Sequence, residues 1–338
     1  MTGTPELASL IDDVAASHRE EQSAGAVSPV WPTLVELGLA DVGIPEEAGG
    51  SGGTISNAVE LVQTLARYGI STPLIEANVA NWVLAQAGVT ARGLSTIVVT
   101  PAAVREADGR LLASLRAIPW ARSASNLVVL HEDDRGWVIE LDQPEVAIEH
   151  QVNVAGEPRD TVRLNWATAC ALPRAVSPVL VRARLGLLWS AAICGAASRA
   201  HEMTRGYVRE REQFGRPLVA IPAVASALAT MRVHVLQAQA GLDRAVECWL
   251  TPATDPERCA NAAAVARITA ATAATEVARL AHQLHGAMGI TWEYPLHRLT
   301  RRLWAWRDAE TAEREWALSL GAAALAGGEP ALWDKITA

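Results

Sequence analysis

One short stretch of the sequence, REREQFGRP at Arg209–Pro217, combines arginines with the only phenylalanine among 338 residues. Gly215 and Pro217 predict that a long helix ends here, because glycine adopts the left-handed conformation and proline cannot continue a helix. Arg211 and Phe214 are three residues apart, so we expect them on one face of the last helical turn. A guanidinium group fits a pyrophosphate and an aromatic ring fits a heterocycle beside it. The pair is compatible with a dinucleotide site and, equally, with an ion pair next to a core residue.

Two other motifs that resemble ligand sites are better explained by packing. The GGSGG of Gly49–Gly53 resembles a phosphate-binding loop, but Ile55 breaks the GxGxxG pattern and no strand precedes it, so we expect a structural turn. His282 and His285 lie near a helix end and no HExxH pair is present, which favours packing or surface roles over metal binding. We therefore predict no metal site.

Composition argues against several classes of protein. A net charge of -8, from 29 basic and 37 acidic residues, argues against binding to nucleic-acid phosphates. No apolar run approaches the roughly 18 residues that span a bilayer, and the N-terminal segment does not read as a secretory signal. The four cysteines form no CxxC pair, which argues against disulfides. We expect a soluble, cytoplasmic protein that binds neither nucleic acid nor membranes.

The pattern of apolar residues changes twice along the chain and predicts three domains. Residues 1–92 show apolar positions at helical spacing and predict an N-terminal helical domain. Residues 93–173 contain short β-rich runs broken by Asp, Gly and Pro, which predict a shortened middle domain of antiparallel β structure. Residues 174–338 are alanine-rich and predict a C-terminal bundle of four or five closely packed helices, one of them capped by Asp255. The fold class is α+β. The helices expected in the C-terminal domain are 178–214, 220–250, 256–285, 295–308 and 310–325.

Two blocks of the C-terminal part resemble the acyl-CoA dehydrogenase family. YVREREQFGRPLVAIPAVASALATM at Tyr207–Met231 is similar to the RxxFG signature of that family. AHQLHGAMGITWEYPLHRLTRR at Ala281–Arg302 is similar to its QxxGGxG block. LVELGLADVGIPEEAGGSGG resembles the family's Gly-rich turn, and IPWARSASNLVVL resembles a strand pair of its middle domain. The resemblance covers nearly the whole chain and implies the acyl-CoA dehydrogenase fold.

The resemblance implies FAD as the cofactor. In relatives the first block reaches across a subunit interface to the ADP half of FAD, and the second block meets the same cofactor. The cofactor-binding residues carried over are Arg211, Gln213, Phe214, Gln283, Gly286 and Ala287. Ala287 stands where relatives usually have the second glycine, so we expect the backbone to approach the phosphates less closely there.

The segment that contacts flavin and thioester in relatives departs from the family pattern. Relatives carry a TEPxxGSD-like stretch on the first strand of the β domain. The matching VVTPAAVREADGRL at Val98–Leu112 keeps Thr100 and Pro101 and lacks the glutamate and the Gly-Ser-Asp. We expect the chain's own flavin-ring pocket to be incomplete.

The chemistry implied by the resemblance needs a base. Acyl-CoA dehydrogenation removes a proton from the carbon α to the thioester while hydride leaves the β carbon, so a dry carboxylate must face the α carbon. The family's usual position falls on Glu310, although its neighbours Ala309 and Thr311 differ from the family pattern. The alternative family position falls at Leu185 and offers no carboxylate. Glu310 is the candidate catalytic base, and an exposed residue starting a terminal helix is the alternative interpretation.

Three functions fit the resemblance. The first is a self-sufficient homo-oligomeric acyl-CoA dehydrogenase with Glu310 as base. The second, which the altered β segment favours, is one subunit of a heteromeric α2β2 dehydrogenase in which a longer homologous subunit supplies the base. Such enzymes act on CoA thioesters of bulky acids such as steroid side chains. The third is a flavin-dependent monooxygenase or oxidase on the same fold. The first two imply an acyl-CoA substrate and an electron-transfer acceptor protein.

Overall fold

The protein divides into two compact units. The computed structural model describes residues 5–17, 25–173, 176–251, 255–309, 311 and 313–337. One unit is formed from residues up to 61 together with 70–185, and the other from 62–69 together with 186 onward. Within the described residues the helices are α1 Pro5–Ser17, α2 Val30–Glu36, α3 Ile55–Arg67, α4 Leu74–Ala87, α5 Pro178–Glu210, α6 Pro222–Leu250, α7 Pro256–His285, α8 Leu296–Arg307 and α9 Glu313–Thr337.

The helices expected from the apolar spacing are confirmed, with shifted ends. The helix expected over 178–214 ends four residues earlier, at Glu210. The last helix runs on to Thr337, with a non-helical residue at Gly328. Asp255 caps α7 as predicted, because its side chain accepts a hydrogen bond from the backbone N–H of Glu257 at 3.0 Å.

The β structure of the first unit consists of two four-stranded sheets. One sheet has the strand order β1-β4-β5-β8 and the other has the order β2-β3-β7-β6, whereas β9 and β10 form a two-stranded hairpin in the second unit. The strands are β1 Ser95–Thr100, β2 Arg105–Ala107, β3 Arg110–Pro119, β4 Asn126–His131, β5 Gly136–Glu140, β6 Val146–Glu149, β7 Arg159–Thr168, β8 Cys170–Ala171, β9 Glu212–Gln213 and β10 Arg216–Pro217.

The prediction of a purely antiparallel β unit is wrong for one strand pair. β1 and β4 run parallel, with Ser95 opposite Asn126 and Thr100 opposite His131. Parallel neighbours need a crossover of a dozen residues or more, and the chain between them supplies it by passing through the second sheet as β2 and β3. Large side chains from both sheets, including Trp137 of β5, fill the core between them.

Alanine and glycine allow the helices of the second unit to pack closely, as predicted. A Cβ on Gly195 of α5 would lie 2.1 Å from the carbonyl oxygen of Gln63 of α3. A Cβ on Gly241 of α6 would lie 3.3 Å from the Cα of Ala266 of α7. These backbones therefore approach to distances that a larger residue would prevent.

One helix in the described part of the chain, α5, has the length and composition of a membrane span. Most of its apolar stretch is buried inside the protein, as in the core helix of a globular fold. The Gly-rich turn before α3 is structural, as expected: Ile44 forms a β-bridge with Gly52, and a Cβ on Gly50 would collide with the Ile44 carbonyl oxygen.

Helix α4 carries a buried carboxyl group in the first unit. Glu76 is 2% exposed, and its Oε1 lies 3.5 Å from a guanidinium nitrogen of Arg159, which also faces Glu157. Burial raises the pKa of Glu76 from about 4.5 to about 7, although Arg159 opposes this shift. In the folded state this carboxyl is therefore mostly neutral below pH 7 and loses its proton as the pH rises through about 7.

Removing this carboxyl should change how stability depends on pH. Because the folded-state pKa is raised, the contribution of Glu76 is most favourable below pH 4.5 and is lost as pH rises to about 7. We expect Glu76→Gln to gain stability relative to the wild type across this range, by an amount on the order of 3 kcal/mol at its upper end. Urea unfolding at several pH values measures this difference.

Glu149→Gln is the matched control for this measurement. Glu149 pairs with Arg163 at the surface, and such pairs contribute less than about 1 kcal/mol. A difference between Glu76→Gln and the wild type that stays flat from pH 4.5 to 7 would contradict the raised pKa.

Candidate functional site

The RxxFG stretch forms an exposed hairpin just beyond the end of α5. Strands β9 and β10 pair through Gln213 and Arg216, and the two residues between them, Phe214 and Gly215, have φ angles of 56° and 75°. Two left-handed residues in succession are typical of a tight two-residue hairpin. The prediction that Arg211 and Phe214 share the last helical turn is therefore wrong, because this turn chemistry reverses the chain beyond Glu210.

The hairpin is attached to the end of α5 by two backbone hydrogen bonds. The Arg211 N–H donates to the Tyr207 carbonyl at 2.8 Å, and the Leu218 N–H donates to the Arg211 carbonyl at 2.8 Å. The backbone of Arg211 therefore bonds both to the last turn of α5 and to Leu218, which follows the second strand of the hairpin. Its side chain, like those around it, is exposed.

The ring of Phe214 points away from the core. It is 87% exposed and lies on a residue in the left-handed region, which is disfavoured by about 1 kcal/mol for a bulky side chain. A phenylalanine ring that is exposed to this extent is not part of the chain's own core. The alternative reading of Phe214 as a core residue is therefore wrong.

The second family block follows the end of α7. Helix α7 ends at His285, Gly286 takes φ 58° and ψ -140°, and a 3-10 turn continues to Ile290. Apart from its two chain neighbours, no described residue has a heavy atom within 4 Å of a Cβ built on Gly286, so this backbone is open on that side. Gln283 and Ala287 are also exposed, and Ala287 avoids the left-handed region, so an alanine there causes no backbone strain.

A stack of rings holds the two segments at the same end of the second unit. The rings of Tyr207 and His285 stack with their centroids 4.4 Å apart. Tyr207 lies one turn before Arg211, and His285 directly precedes Gly286. The stack therefore brings the carried-over residues of both blocks to one surface.

Hydrogen bonds fix the tautomer of His285. Its Nδ1 lies 2.8 Å from the carbonyl oxygen of Ala281, which can only accept, so Nδ1 carries the hydrogen. The other ring nitrogen, Nε2, then accepts from the Tyr294 hydroxyl at 3.2 Å. Burial lowers the pKa of His285, which keeps the ring neutral and this arrangement intact.

Sequence reasoning identified the two blocks, the first containing Tyr207 and the second His285 and Tyr294, and missed the shared role of these three residues. The signal was available, since one aromatic residue stands four positions before Arg211 and a histidine directly precedes Gly286. His282, considered together with His285 for metal binding, instead bonds to the Thr300 hydroxyl at 2.8 Å and stacks on Trp304. Both histidines are engaged in packing.

The segment that departs from the family pattern forms a local turn in the first unit. The Thr100 side chain at the end of β1 is 8% exposed and accepts a hydrogen bond from the Ala102 N–H at 3.0 Å. The chain then passes through the buried Val104 into the β2–β3 hairpin, whose strand β2 is exposed. This hydroxyl is therefore used to shape the turn.

The structure describes one of the two family positions for a base, Leu185, and not the other, Glu310. Glu310 lies outside the described residues, so its role as base stays a prediction. Leu185 is 2% exposed and the residue before it, Arg184, is buried with its guanidinium 3.2 Å from the Asn78 side-chain oxygen and over the Trp82 ring. Burial lowers the pKa of Arg184 to about 9. The position at Leu185 therefore carries an apolar side chain, and its neighbour Arg184 is a buried cation and not a carboxylate.

Family models match both ends of the chain. The model described as acyl-CoA dehydrogenase, C-terminal domain, matches residues 174–310, and the model described as acyl-CoA dehydrogenase, N-terminal domain, matches residues 6–92. The chain belongs to the acyl-CoA dehydrogenase family. Members of this family are FAD-binding flavoproteins and oxidoreductases that act on acyl-CoA.

Individual relatives are similar over most of their length. The acyl-CoA dehydrogenase IpdE2 of Mycolicibacterium smegmatis is 26% identical over 295 residues, which cover 83% of this chain and 83% of the relative. The structure of a variant of the Tcur3481-Tcur3483 steroid ACAD superposes with a TM-score of 0.84 at 24% identity, covering 94% of this chain and 96% of that one. The ChsE4-ChsE5 complex from Mycobacterium tuberculosis gives a TM-score of 0.83 at 20% identity, covering 97% and 99%. These structural likenesses establish the acyl-CoA dehydrogenase fold.

The exposed surface fits the adenine end of FAD. The open backbone at Gly286 can approach a phosphate, the Arg211 guanidinium can bind it, and the ring of Phe214 presents an aromatic face. The turn after α7 also exposes apolar side chains, since Ile290 is 71% and Trp292 is 73% exposed.

Removing the hydroxyl of Tyr294 or of Tyr207 should separate the contribution of the hydrogen bond to His285 from that of ring packing. Tyr294→Phe leaves the buried Nε2 of His285 without its donor, so we expect a loss of about 1–2 kcal/mol in the free energy of unfolding. Tyr207→Phe keeps the stacked ring and is expected to change stability by less than about 0.5 kcal/mol. Urea unfolding measures both, and equal effects of the two variants would contradict the assigned tautomer.

Proposed function

We propose that this chain is a subunit of a heteromeric FAD-dependent acyl-CoA dehydrogenase that contributes the adenine-dinucleotide half of the cofactor site to a longer homologous subunit. The observation that carries the proposal is the outward ring of Phe214 on a hairpin joined, through the Tyr207–His285 stack, to the open backbone at Gly286. Such a surface binds its ligand only when a second subunit covers it.

Each residue of this surface has a distinct task in the proposal. Arg211 would pair with a pyrophosphate through its planar guanidinium, and Gln283 would donate from its side-chain amide. Gly286 admits the phosphate close to the backbone because it has no Cβ, and Phe214 packs against the adenine. The hairpin needs little reordering on binding, since its turn is already formed.

The reaction requires groups that this surface does not hold. When bound, FAD supplies the hydride acceptor for dehydrogenation of an acyl-CoA at its α and β carbons. Proton removal from the α carbon requires a dry carboxylate, and the α5 position at Leu185 is flanked by the buried Arg184 cation. In the proposal the partner subunit supplies the base and the flavin-ring contacts, which the local turn at Thr100 does not offer.

Two of the similar solved structures support a proposal for the substrate class and for the subunit assembly. Two solved structures of this fold are a steroid ACAD and a ChsE4-ChsE5 complex, each named with two components. We infer an acyl-CoA with a bulky or steroid-side-chain acyl group, an α2β2 arrangement, and a separate electron-transfer protein as acceptor. A cytoplasmic location fits this soluble cofactor and substrate chemistry.

The first test is the FAD content of the protein purified alone, compared with that of the complex purified with its longer subunit. The visible absorption spectrum gives flavin per chain, and light scattering on the same sample gives the oligomer mass. We expect little flavin in the chain alone and retained flavin in the complex. About one FAD for each isolated chain would contradict the half-site proposal.

Substitution of Arg211 tests the same surface within the complex. Arg211→Ala removes a charge-assisted contact worth about 1.5–3 kcal/mol, so we expect FAD affinity to fall at least tenfold. Arg209→Ala, which removes the same charge from the exposed last turn of α5, is the matched control and should change affinity less than twofold. Equal effects of the two variants would indicate only a general charge effect and contradict the role of Arg211.

Glu310→Gln distinguishes the heteromeric enzyme from a self-sufficient one. If the partner supplies the base, turnover of the complex should stay within about twofold, because Glu310 then touches no reacting atom. Loss of general-base catalysis typically lowers turnover by a factor of about 100 to 10,000. A loss of that size with bound flavin unchanged would instead support the homo-oligomeric acyl-CoA dehydrogenase in which Glu310 is the base.

A further inference from the structure

The first unit contains a cleft of about 500 Å³ between α2, α4 and the start of β1. Its volume lies within the range typical of small-molecule sites. Trp31 and Val35 of α2, Asn81 of α4 and Ser95 of β1 are among the lining residues. None of the cofactor-binding residues carried over from the RxxFG and QxxGGxG blocks lines this cleft.

Ser95 places a buried hydroxyl at the strand side of the cleft. In β1, Val98 packs against the core between the sheets and the Thr96 hydroxyl donates to the Pro119 carbonyl of the other sheet. Alternation along the strand therefore turns Ser95 the other way, toward α4. Ser95 is 1% exposed, and its Oγ has no hydrogen-bond partner among the described residues. A buried hydroxyl without a partner destabilises the fold by about 1–3 kcal/mol. A ligand that forms a hydrogen bond with this hydroxyl would restore part of that free energy.

The charged groups of the cleft have one sign. Glu36 and Asp41 are both lining residues, and no lysine or arginine is among them. The side-chain amide of Asn81 donates to Asp41 Oδ1 at 2.6 Å and holds this carboxylate in place. Because a carboxylate accepts about four hydrogen bonds, Asp41 keeps the capacity to bind a donor from a ligand.

The remaining walls are apolar. Trp31 presents an indole, and Pro32, Val35, Ala77 and Leu94 complete the surface. An indole next to carboxylates is a favourable environment for an ammonium or guanidinium group that carries an apolar body.

We propose that this cleft is a binding site for a small organic cation, with a primary ammonium or guanidinium group on an apolar body. Asp41 pairs with the cationic nitrogen, the Ser95 hydroxyl accepts one of its hydrogens, and the apolar body packs on Trp31 and Val35. Glu36, at the exposed rim, adds attraction without a fixed contact. The site uses no residue of the proposed cofactor surface, so its test is independent of the proposed function.

The test uses the whole chain and 2-phenylethylammonium as probe, near neutral pH. Binding is followed in heteronuclear NMR through the indole N–H resonance of Trp31, assigned as the resonance that Trp31→Phe removes. We expect a saturable shift with a Kd on the order of 1 mM, as for a ligand of about ten heavy atoms. Neutral 2-phenylethanol, of the same shape, should bind at least fivefold more weakly.

Three variants assign the contacts. Asp41→Asn should weaken binding of the probe about fivefold to tenfold, and Ser95→Ala about threefold, with thermal unfolding confirming that each variant is folded. Glu106→Gln, which removes one negative charge from the exposed strand β2, is the matched control and should leave Kd within twofold.

Three outcomes would overturn the proposal. The Trp31 resonance could stay unmoved up to about 20 mM probe, which is far above the Kd expected for a ligand of this size. The alcohol could bind as well as the ammonium. The Asp41 and Glu106 variants could weaken binding equally, which would reduce the effect to overall charge.

Discussion

The stack of Tyr207 on His285 is the interaction on which the candidate cofactor surface depends. Neither the hairpin after α5 nor the turn after α7 has a core of its own, and both expose most of their side chains. A neutral histidine between a backbone carbonyl and the Tyr294 hydroxyl can hold only one orientation. It therefore fixes where Arg211 and Gly286 stand relative to each other. In a protonated ring Nε2 would donate to the Tyr294 hydroxyl oxygen, so this bond would reverse its direction.

The strained and exposed position of Phe214 is explained if the ring belongs to a site shared between two subunits. Phe214 occupies a left-handed backbone conformation and leaves nearly its whole ring in water, two features that disfavour the isolated chain. In the proposed complex, a cofactor and a second subunit would cover the ring, and the apolar area that they bury would offset the backbone strain. Placing half of a site on each of two chains makes assembly and cofactor retention one linked equilibrium.

Buried polar groups in the first unit contribute to its fold. Arg184 bonds to Asn78 and lies over Trp82, and Glu76 lies 3.5 Å from a guanidinium nitrogen of Arg159. Ionisation of the Glu76 carboxyl costs free energy, because burial removes it from water and Arg159 offsets this loss only in part. Arg184 and Glu76 are both buried in the first unit, and the raised pKa of the Glu76 carboxyl makes the stability of the fold depend on pH.

The sequence by itself determined the helices, the Asp255 cap, the structural glycine turn and the two family blocks, because these depend on local spacing and on motifs within one segment. It did not determine that Phe-Gly forms a hairpin beyond Glu210, nor that β1 pairs in parallel with β4, since turn conformation and strand direction depend on distant parts of the chain. Only the tertiary structure brought Tyr207 to His285 and placed the Tyr294 hydroxyl against Nε2, while the Ala281 carbonyl that binds Nδ1 belongs to the same helix as His285. Likewise, the unpartnered hydroxyl of Ser95 became visible only once the chain had enclosed it, because burial and hydrogen-bond satisfaction are properties of the folded neighbourhood.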